Sequence, residues 1–220
     1  MRVVIKINLP IWDRALKHSL LAALFAVGTV FSAANAAEGT RPAPEQPELG
    51  EALRSGDIAN AFRLARDKAE KGDIDSQYNV SLFFWHGVGA PQNFEEAIRW
   101  STLSAIRGHR KATAARNLML RTVEPQLVQK GMEWSRQRLI KLAEGGDDDA
   151  LSPLAVSYRS DFGFPNDAEA YFWSSLAVSM GKVEVRRQRD SLVQTMKQAD
   201  LVKAQQRAAE WTGKWRKDRS

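Results

Sequence analysis

From about residue 48 to the C-terminus, apolar side chains recur every three or four positions, the spacing of helices with one covered face. No stretch alternates apolar and polar residues over the four to eight positions of a half-buried strand. Prolines in this region fall only where helices would start or turn, so the pattern predicts an all-α fold. One helix is predicted from Asn93 to Arg107, with Phe94, Ala97, Ile98, Ser101 and Ala105 on one face. Trp100 and Leu103 spread its apolar character around the sides, as expected of an element with neighbours on both flanks. A second runs from Pro125 to Ala143 on a stripe of Val128, Met132, Ser135, Leu139 and Leu142. The last covers about Asp200 to Trp211, with Leu201, Ala204, Ala208 and Trp211 in line and Gly213 fraying its end.

The pattern also repeats itself. Ala61, Leu64, Ala69 and Gly72 return 36 positions later as Ala97, Trp100, Ala105 and Gly108, and 73 further on as Ala170, Trp173, Ala177 (one position early) and Gly181. The 73-residue offset also pairs Asn93 with Asn166, Glu96 with Glu169, Leu103 with Leu176 and Arg116 with Arg189. Upstream the offset is 74, matching Ala69–Asp73 with Ala143–Asp147, and Phe84, Gly89 and Pro91 with Tyr158, Gly163 and Pro165. One deletion between Pro91 and Asn93 reconciles the two, so the chain contains an internal duplication. The repeated positions have physical roles. Asn93 with Glu96, and Asn166 with Glu169, are capping pairs that open helices. Gly72, Gly108 and Gly181 supply the left-handed residue that ends them. The helices after Arg116 and Arg189 are expected to close each half as caps.

The run Gly72-Asp73-Ile74-Asp75-Ser76-Gln77-Tyr78-Asn79-Val80-Ser81, then Gly87-Val88-Gly89-Ala90-Pro91-Gln92-Asn93, Glu96-Ala97-Ile98-Arg99-Trp100 and Gly108-His109, resembles one unit of the SEL-one-like repeat family, relatives of tetratricopeptide repeats. Gly146 to Gly181 resembles a second, degraded unit that carries Pro153 and lacks the Gln-Tyr-Asn trio. The resemblance implies a right-handed superhelical array of helix-turn-helix repeats, an α/α solenoid, acting as an adaptor for protein partners or cell-envelope complexes. Some secreted relatives staple each repeat with a disulfide. This chain contains no cysteine and cannot. The expected organisation is a signal peptide over 1–36, a flexible linker over 37–47 and a helical-repeat domain over 48–216. Its repeat units fall at about 57–108 and 131–181, with capping helices over 109–130 and 182–212.

Composition changes that picture at the N-terminus. Residues 1–36 combine basic Arg2, Lys6, Arg14 and Lys17 with an apolar run from Leu20 to Phe31 and a small-residue end, Ala34-Asn35-Ala36. That is the pattern of a cleaved secretory signal, and its apolar run is shorter than the ~20 residues of a spanning helix. A periplasmic location follows as the expectation, with no stable membrane span after cleavage. Removing the segment takes away four basic residues and Asp13, so the formal charge falls from +6 to +3 on the remaining 184 residues. The basic residues read as spread along many helices, which argues against a nucleic-acid partner. Without cysteine, thiol chemistry and a Cys-based zinc site are excluded.

The candidate chemistry is sparse, and the chain reads as a protein that is not an enzyme and needs no cofactor. His86 and His109 have no second ligand at metal spacing. Ser179-Met180-Gly181-Lys182 matches the S-x-x-K nucleophile pattern of penicillin-binding enzymes, yet Gly181 separates the two residues and the companion motifs are missing. Asp147-Asp148-Asp149 lacks the alternation of a calcium loop and suits a helix start. Three aromatic residues in a row, Phe83-Phe84-Trp85, cannot share one stripe. Phe84 is expected in the core, and Phe83 or Trp85 against a neighbouring helix or a groove. In a groove, Asn79, Phe83 and His86 at i, i+4 and i+7 would form a partner-binding face. The function expected is an exported protein-interaction scaffold of the cell envelope. The alternatives are a self-associating structural envelope protein and, on the weak S-x-x-K pattern, an envelope hydrolase acting on peptidoglycan or a β-lactam.

Overall fold

The structure, a computed structural model, describes residues 47–217. The expected signal peptide and most of the linker lie outside the described residues. Within them the chain folds into helices α1 (Pro47–Ser55), α2 (Ile58–Glu70), α3 (Ile74–His86), α4 (Phe94–Ile106) and α5 (Arg110–Met119). They are followed by α6 (Pro125–Glu144), α7 (Leu151–Ser157), α8 (Asp167–Ser179), α9 (Arg186–Thr195) and α10 (Gln198–Lys217). Short 3-10 turns precede α7, α8 and α9, and the described residues contain no strand. The contacts divide the chain at Leu64/Ala65, within α2. On the N-terminal side, α1 starts at Pro47, where a missing N–H costs nothing, and buries Leu49 and Ala52.

On the C-terminal side, from Ala65 onward, helices pair and stack. The core of this part is α4, which packs against α3, α5 and α6. From Ala97 to Ile106 only Arg99 is not buried, the broad coverage predicted from its apolar width. The duplicated positions carry duplicated geometry. Asn93 and Asn166 sit at φ −147° and each accepts a backbone N–H from a glutamate, Glu96 or Glu169, at 3.1 Å. Both asparagines also close the preceding loop, Asn93 N–H donating to the Phe84 carbonyl (3.0 Å) and Asn166 N–H to that of Tyr158 (3.2 Å). The helix-ending glycines Gly72, Gly108, Gly146 and Gly181 all take positive φ, between 86° and 98°. The N–H of the next residue then reaches back to a carbonyl of the last turn. A side chain at these points would be strained, which is why glycine recurs there.

The segments expected as caps over 109–130 and 182–212 are built into the stack: α5 and α6 both pack on α4, α9 and α10 both pack on α8, and α6 runs unbroken across the 130/131 boundary. Two tryptophans make the equivalence concrete. Trp134 on α6 meets Trp100 edge-on at 5.2 Å between centroids, and Trp211 on α10 meets Trp173 edge-on at 6.3 Å. The expectation that Gly213 frays the last helix is corrected, since α10 continues to Lys217. Trp215 stacks on Trp211 at 5.7 Å, so packing carries the helix past the glycine. In α7, Pro153 is the third residue, within the first turn where N–H groups lack helical partners anyway.

Gly131 sets the spacing of α6 on α4. A Cβ there would stand 2.5 Å from Ile98 Cγ2 and 3.4 Å from the Ile98 carbonyl carbon. Ser135, one turn on, donates to the Gly131 carbonyl (2.9 Å) and to the Arg99 carbonyl (3.3 Å). In the second half Ala208 replaces Gly131, 77 positions on, and Tyr171 replaces Ile98. Gly131→Ala is therefore expected to destabilise by about 1–3 kcal/mol although alanine is the better helix former. Ile98→Leu, which removes the clashing branch, should recover a large part of that loss in a double-mutant cycle read by urea unfolding.

Candidate functional site

The proposed partner-binding trio is divided by the fold. Asn79 is half-buried and His86 exposed at the end of α3, but Phe83 is only 2% exposed. Phe83 is therefore a core side chain and not a groove contact, which corrects its assignment. Phe84 is also buried, at 8%, as expected. Side chains 100° apart can both be covered only if α3 has neighbours over a wide arc. Trp85 finds its partner in Phe94, 4.8 Å away.

The other suggestive groups are engaged in structure. Ser179 Oγ donates to the Leu176 carbonyl at 2.8 Å, as a helix-end serine does. Lys182 Nζ turns to Asp149 and, at 3.7 Å, to Asp148, and its hydrogen bond to Asp149 holds its pKa above the ordinary lysine value. A lysine acting as base on Ser179 would need the opposite shift. The same contacts account for the three aspartates. Asp147 caps the 3-10 turn by accepting from the Asp149 N–H at 3.0 Å, and the Lys182 ammonium supplies the counter-charge.

His109 caps the start of α5. Its Nδ1 accepts from the Ala112 N–H (2.9 Å), its ring stacks on Tyr78 (4.8 Å), and its Nε2 lies 3.0 Å from Asp75 Oδ1. Because Nδ1 is an acceptor here, the proton sits on Nε2 and is donated to Asp75. That hydrogen bond lowers the Asp75 pKa against the opposing effect of burial, with the charge of Lys111 helping. A carboxyl depressed in the folded state stabilises at pH above its unfolded value, and the contribution disappears as pH falls through the folded value. We therefore expect thermal stability to drop below about pH 4, with Asp75→Asn flattening that acid limb in pH-dependent melting curves.

Sequence reasoning missed the two arginines that tie the halves together. Arg116 on α5 is 3% exposed. It donates through Nε to Thr102 Oγ1 and through Nη2 to the Phe162 carbonyl, both at 3.1 Å, with its guanidinium 5.4 Å over the Phe162 ring. Arg136 on α6 is 8% exposed. It donates to Ser157 Oγ and to the carbonyls of Ser157 and Phe164, and lies 4.0 Å over Tyr158. Burial lowers both pKa values, and neither arginine has a carboxylate at ion-pair distance among the described residues. Both hold the loop between α7 and α8. The 73-residue pairing of Arg116 with Arg189 marked the first as special, but only three-dimensional packing shows why.

That clamped loop carries an anomaly. Phe164 has φ +51°, and among the described residues it alone, apart from glycines, has positive φ. Its side chain is 44% exposed. The corresponding loop of the first unit runs Gly89-Ala90-Pro91-Gln92-Asn93, one residue longer than Gly163-Phe164-Pro165-Asn166. The shorter connection must reach the same asparagine cap, and the left-handed turn at Phe164 closes it. Glycine or asparagine would close it with less strain, about 1–2 kcal/mol less for glycine. Closure therefore explains the backbone but not the choice of phenylalanine, a residue left 44% exposed on a loop clamped by two buried cations.

A family model described as Sel1 repeat matches residues 74–109, which are α3, α4 and their junction with α5, and residues 152–182, which span most of α7 and all of α8. No curated protein matches the chain. Sel1 repeats are helical solenoid repeats and generally serve as protein–protein interaction modules.

Proposed function

Since the chain belongs to the Sel1-like repeat family, we propose that it is an exported adaptor of the cell envelope that holds a protein partner on its repeat surface and performs no catalysis. The observation that carries this reading is Phe164, an exposed aromatic ring kept in a strained conformation on a clamped loop. The short loop needs the left-handed turn but not an aromatic residue in it; strain of that kind is typical of positions that serve binding, and a rigidly presented aromatic is the usual anchor of a protein interface. Asn79 and His86 remain additional candidates for contact, at the edge of α3.

Support for the rest is of two kinds. The N-terminal basic–apolar–small pattern is that of a cleaved export signal, and no helix among the described residues is long and apolar enough to cross a membrane. The polar groups of the S-x-x-K stretch and of the aspartate cluster are occupied by one another and by backbone.

The test pairs stability with capture. Phe164→Gly is expected to raise stability by about 1 kcal/mol by relieving the positive φ. The same change should sharply reduce recovery of the partner by the mature chain from periplasmic extract. A variant that captures as well as the parent would remove Phe164 from the site. Mass spectrometry of the exported protein should find its N-terminus at Ala37, and an intact N-terminus would contradict the export reading.

A further inference from the structure

The basic residues are not evenly spread once the helices are placed. Residues 186–217, which form α9 and α10, hold nine basic against three acidic residues, a net of +6, whereas residues 47–185 hold 17 against 19, a net of −2. In the earlier helices several cations are used inside the stack, such as Arg99 on Glu95 and Glu96, Arg107 on the Gly72 carbonyl and Arg138 on Glu70. In the last pair, Arg189 bonds Asp190, and Arg207 bonds Glu169 and covers the Phe172 ring. Arg186, Arg187, Lys197, Lys203 and Lys214 are exposed and have no ion pair among the described residues.

The hairpin turns this charge outward. α9 has no buried residue. α10 buries Leu201, Ala204 and Ala208 toward Tyr171 and its neighbours on α8, which leaves Lys203, Arg207 and Lys214, at i, i+4 and i+11, along one flank. Val193 on α9 is 39% exposed and Val202 on α10 is 37% exposed. Exposed aliphatic side chains thus accompany the cations, Val193 seven positions from Arg186 on α9 and Val202 on the other flank of α10.

We propose that the α9–α10 hairpin is the docking face for an acidic polypeptide segment of the partner, one that carries aliphatic residues among its carboxylates. This rests on the adaptor reading above and names the chemistry of what is held. Opposite charge would steer the encounter and set the register, and the valines would supply apolar contact. A nucleic-acid duplex fits less well, because Asp190, Asp200 and Glu210 interrupt the basic surface. A lipid surface fits less well because the apolar face of α10 is turned inward onto α8, not out toward a bilayer.

The experiment measures binding of the mature chain to a labelled peptide of alternating Glu-Glu-Leu units by fluorescence anisotropy. The arms are a Gln-Gln-Leu control peptide, a DNA duplex and vesicles of anionic phospholipid. Binding to the acidic peptide is expected, weakening about tenfold or more between 50 and 200 mM salt, as for contacts made by several exposed charges. The triple variant R187E/K203E/K214E should lose at least tenfold in affinity. K71E/R121E/K130E, which makes the same charge change on the α2–α3 turn, the α5–α6 turn and α6, should keep it, and unchanged melting temperatures would show that both remain folded. Equal binding of the glutamine peptide, tighter binding of duplex or vesicles, or equal losses in the two variants would each overturn the proposal. If the acidic peptide fails while periplasmic capture still depends on Phe164, this proposal falls and the adaptor reading stands. If both fail, both fall.

Discussion

Replacing Trp100 by alanine is expected to lower stability by about 3–5 kcal/mol, the cost of emptying a buried tryptophan site. Trp100 is 1% exposed, donates from Nε1 to Glu96 at 3.1 Å, and is covered by the Trp134 edge and by the Arg138 guanidinium 5.4 Å from its ring. Its helix touches α3, α5 and α6, so the cavity would uncouple elements on both sides. Trp173 has the same bond to Glu169, also 3.1 Å, and is 2% exposed. It lies on α8, whose neighbours are α7, α9 and α10. In a stack where each unit leans on its neighbours, Trp173→Ala should melt the C-terminal pairs in a separate early transition, and Trp100→Ala should shift the main one. Urea unfolding followed by circular dichroism distinguishes them, and a single superimposable loss in both variants would contradict the stacked-unit description.

Arg116→Met is expected to cost about 2–4 kcal/mol. Methionine fills much of the space, but the Thr102 hydroxyl and the Phe162 carbonyl lose their donors in a site closed to water, at about 1–3 kcal/mol for each group left unsatisfied. Lysine should not rescue it, since one ammonium cannot reproduce the two-armed reach of the guanidinium. Arg189→Met, at the repeat-equivalent position, should change stability by less than about 0.5 kcal/mol. Arg189 is part-exposed and, among the described residues, its ion pair is with the adjacent Asp190. Chemical denaturation of the three variants checks the contrast, and similar losses at 116 and 189 would mean that burial is not the deciding difference.

The asparagine caps, the glycine stops and the placement of Trp100 and Trp173 were legible along the chain because each depends on residues within one helical turn. The repeat offsets of 73 and 74 residues were equally legible, and the structure reproduces the cap angles of both copies to within a few degrees. The binding trio was not. A spacing of i, i+4 and i+7 puts Asn79, Phe83 and His86 on one face, but it does not say whether a neighbour covers that face, and at Phe83 one does. The close approach at Gly131 carries no local signal either, because a mid-helix glycine reads as a weak point until Ile98 is found against it. The equivalence of α6 with α10 was hidden because Trp134 and Trp211 are 77 residues apart, four more than the main offset.

Local order, then, belongs to the chain itself: helix type, the capped and glycine-ended boundaries, and the fact of duplication all follow from short-range sterics and hydrogen bonding. Tertiary packing alone decided which charges are buried and which aromatic residues stay exposed. Those outcomes depend on what lies against a residue from 30 to 46 positions away, as Ser104 on Ile74 and Arg116 on Phe162 show. A periodic pattern states that a face will be covered, and only the folded stack supplies the neighbour.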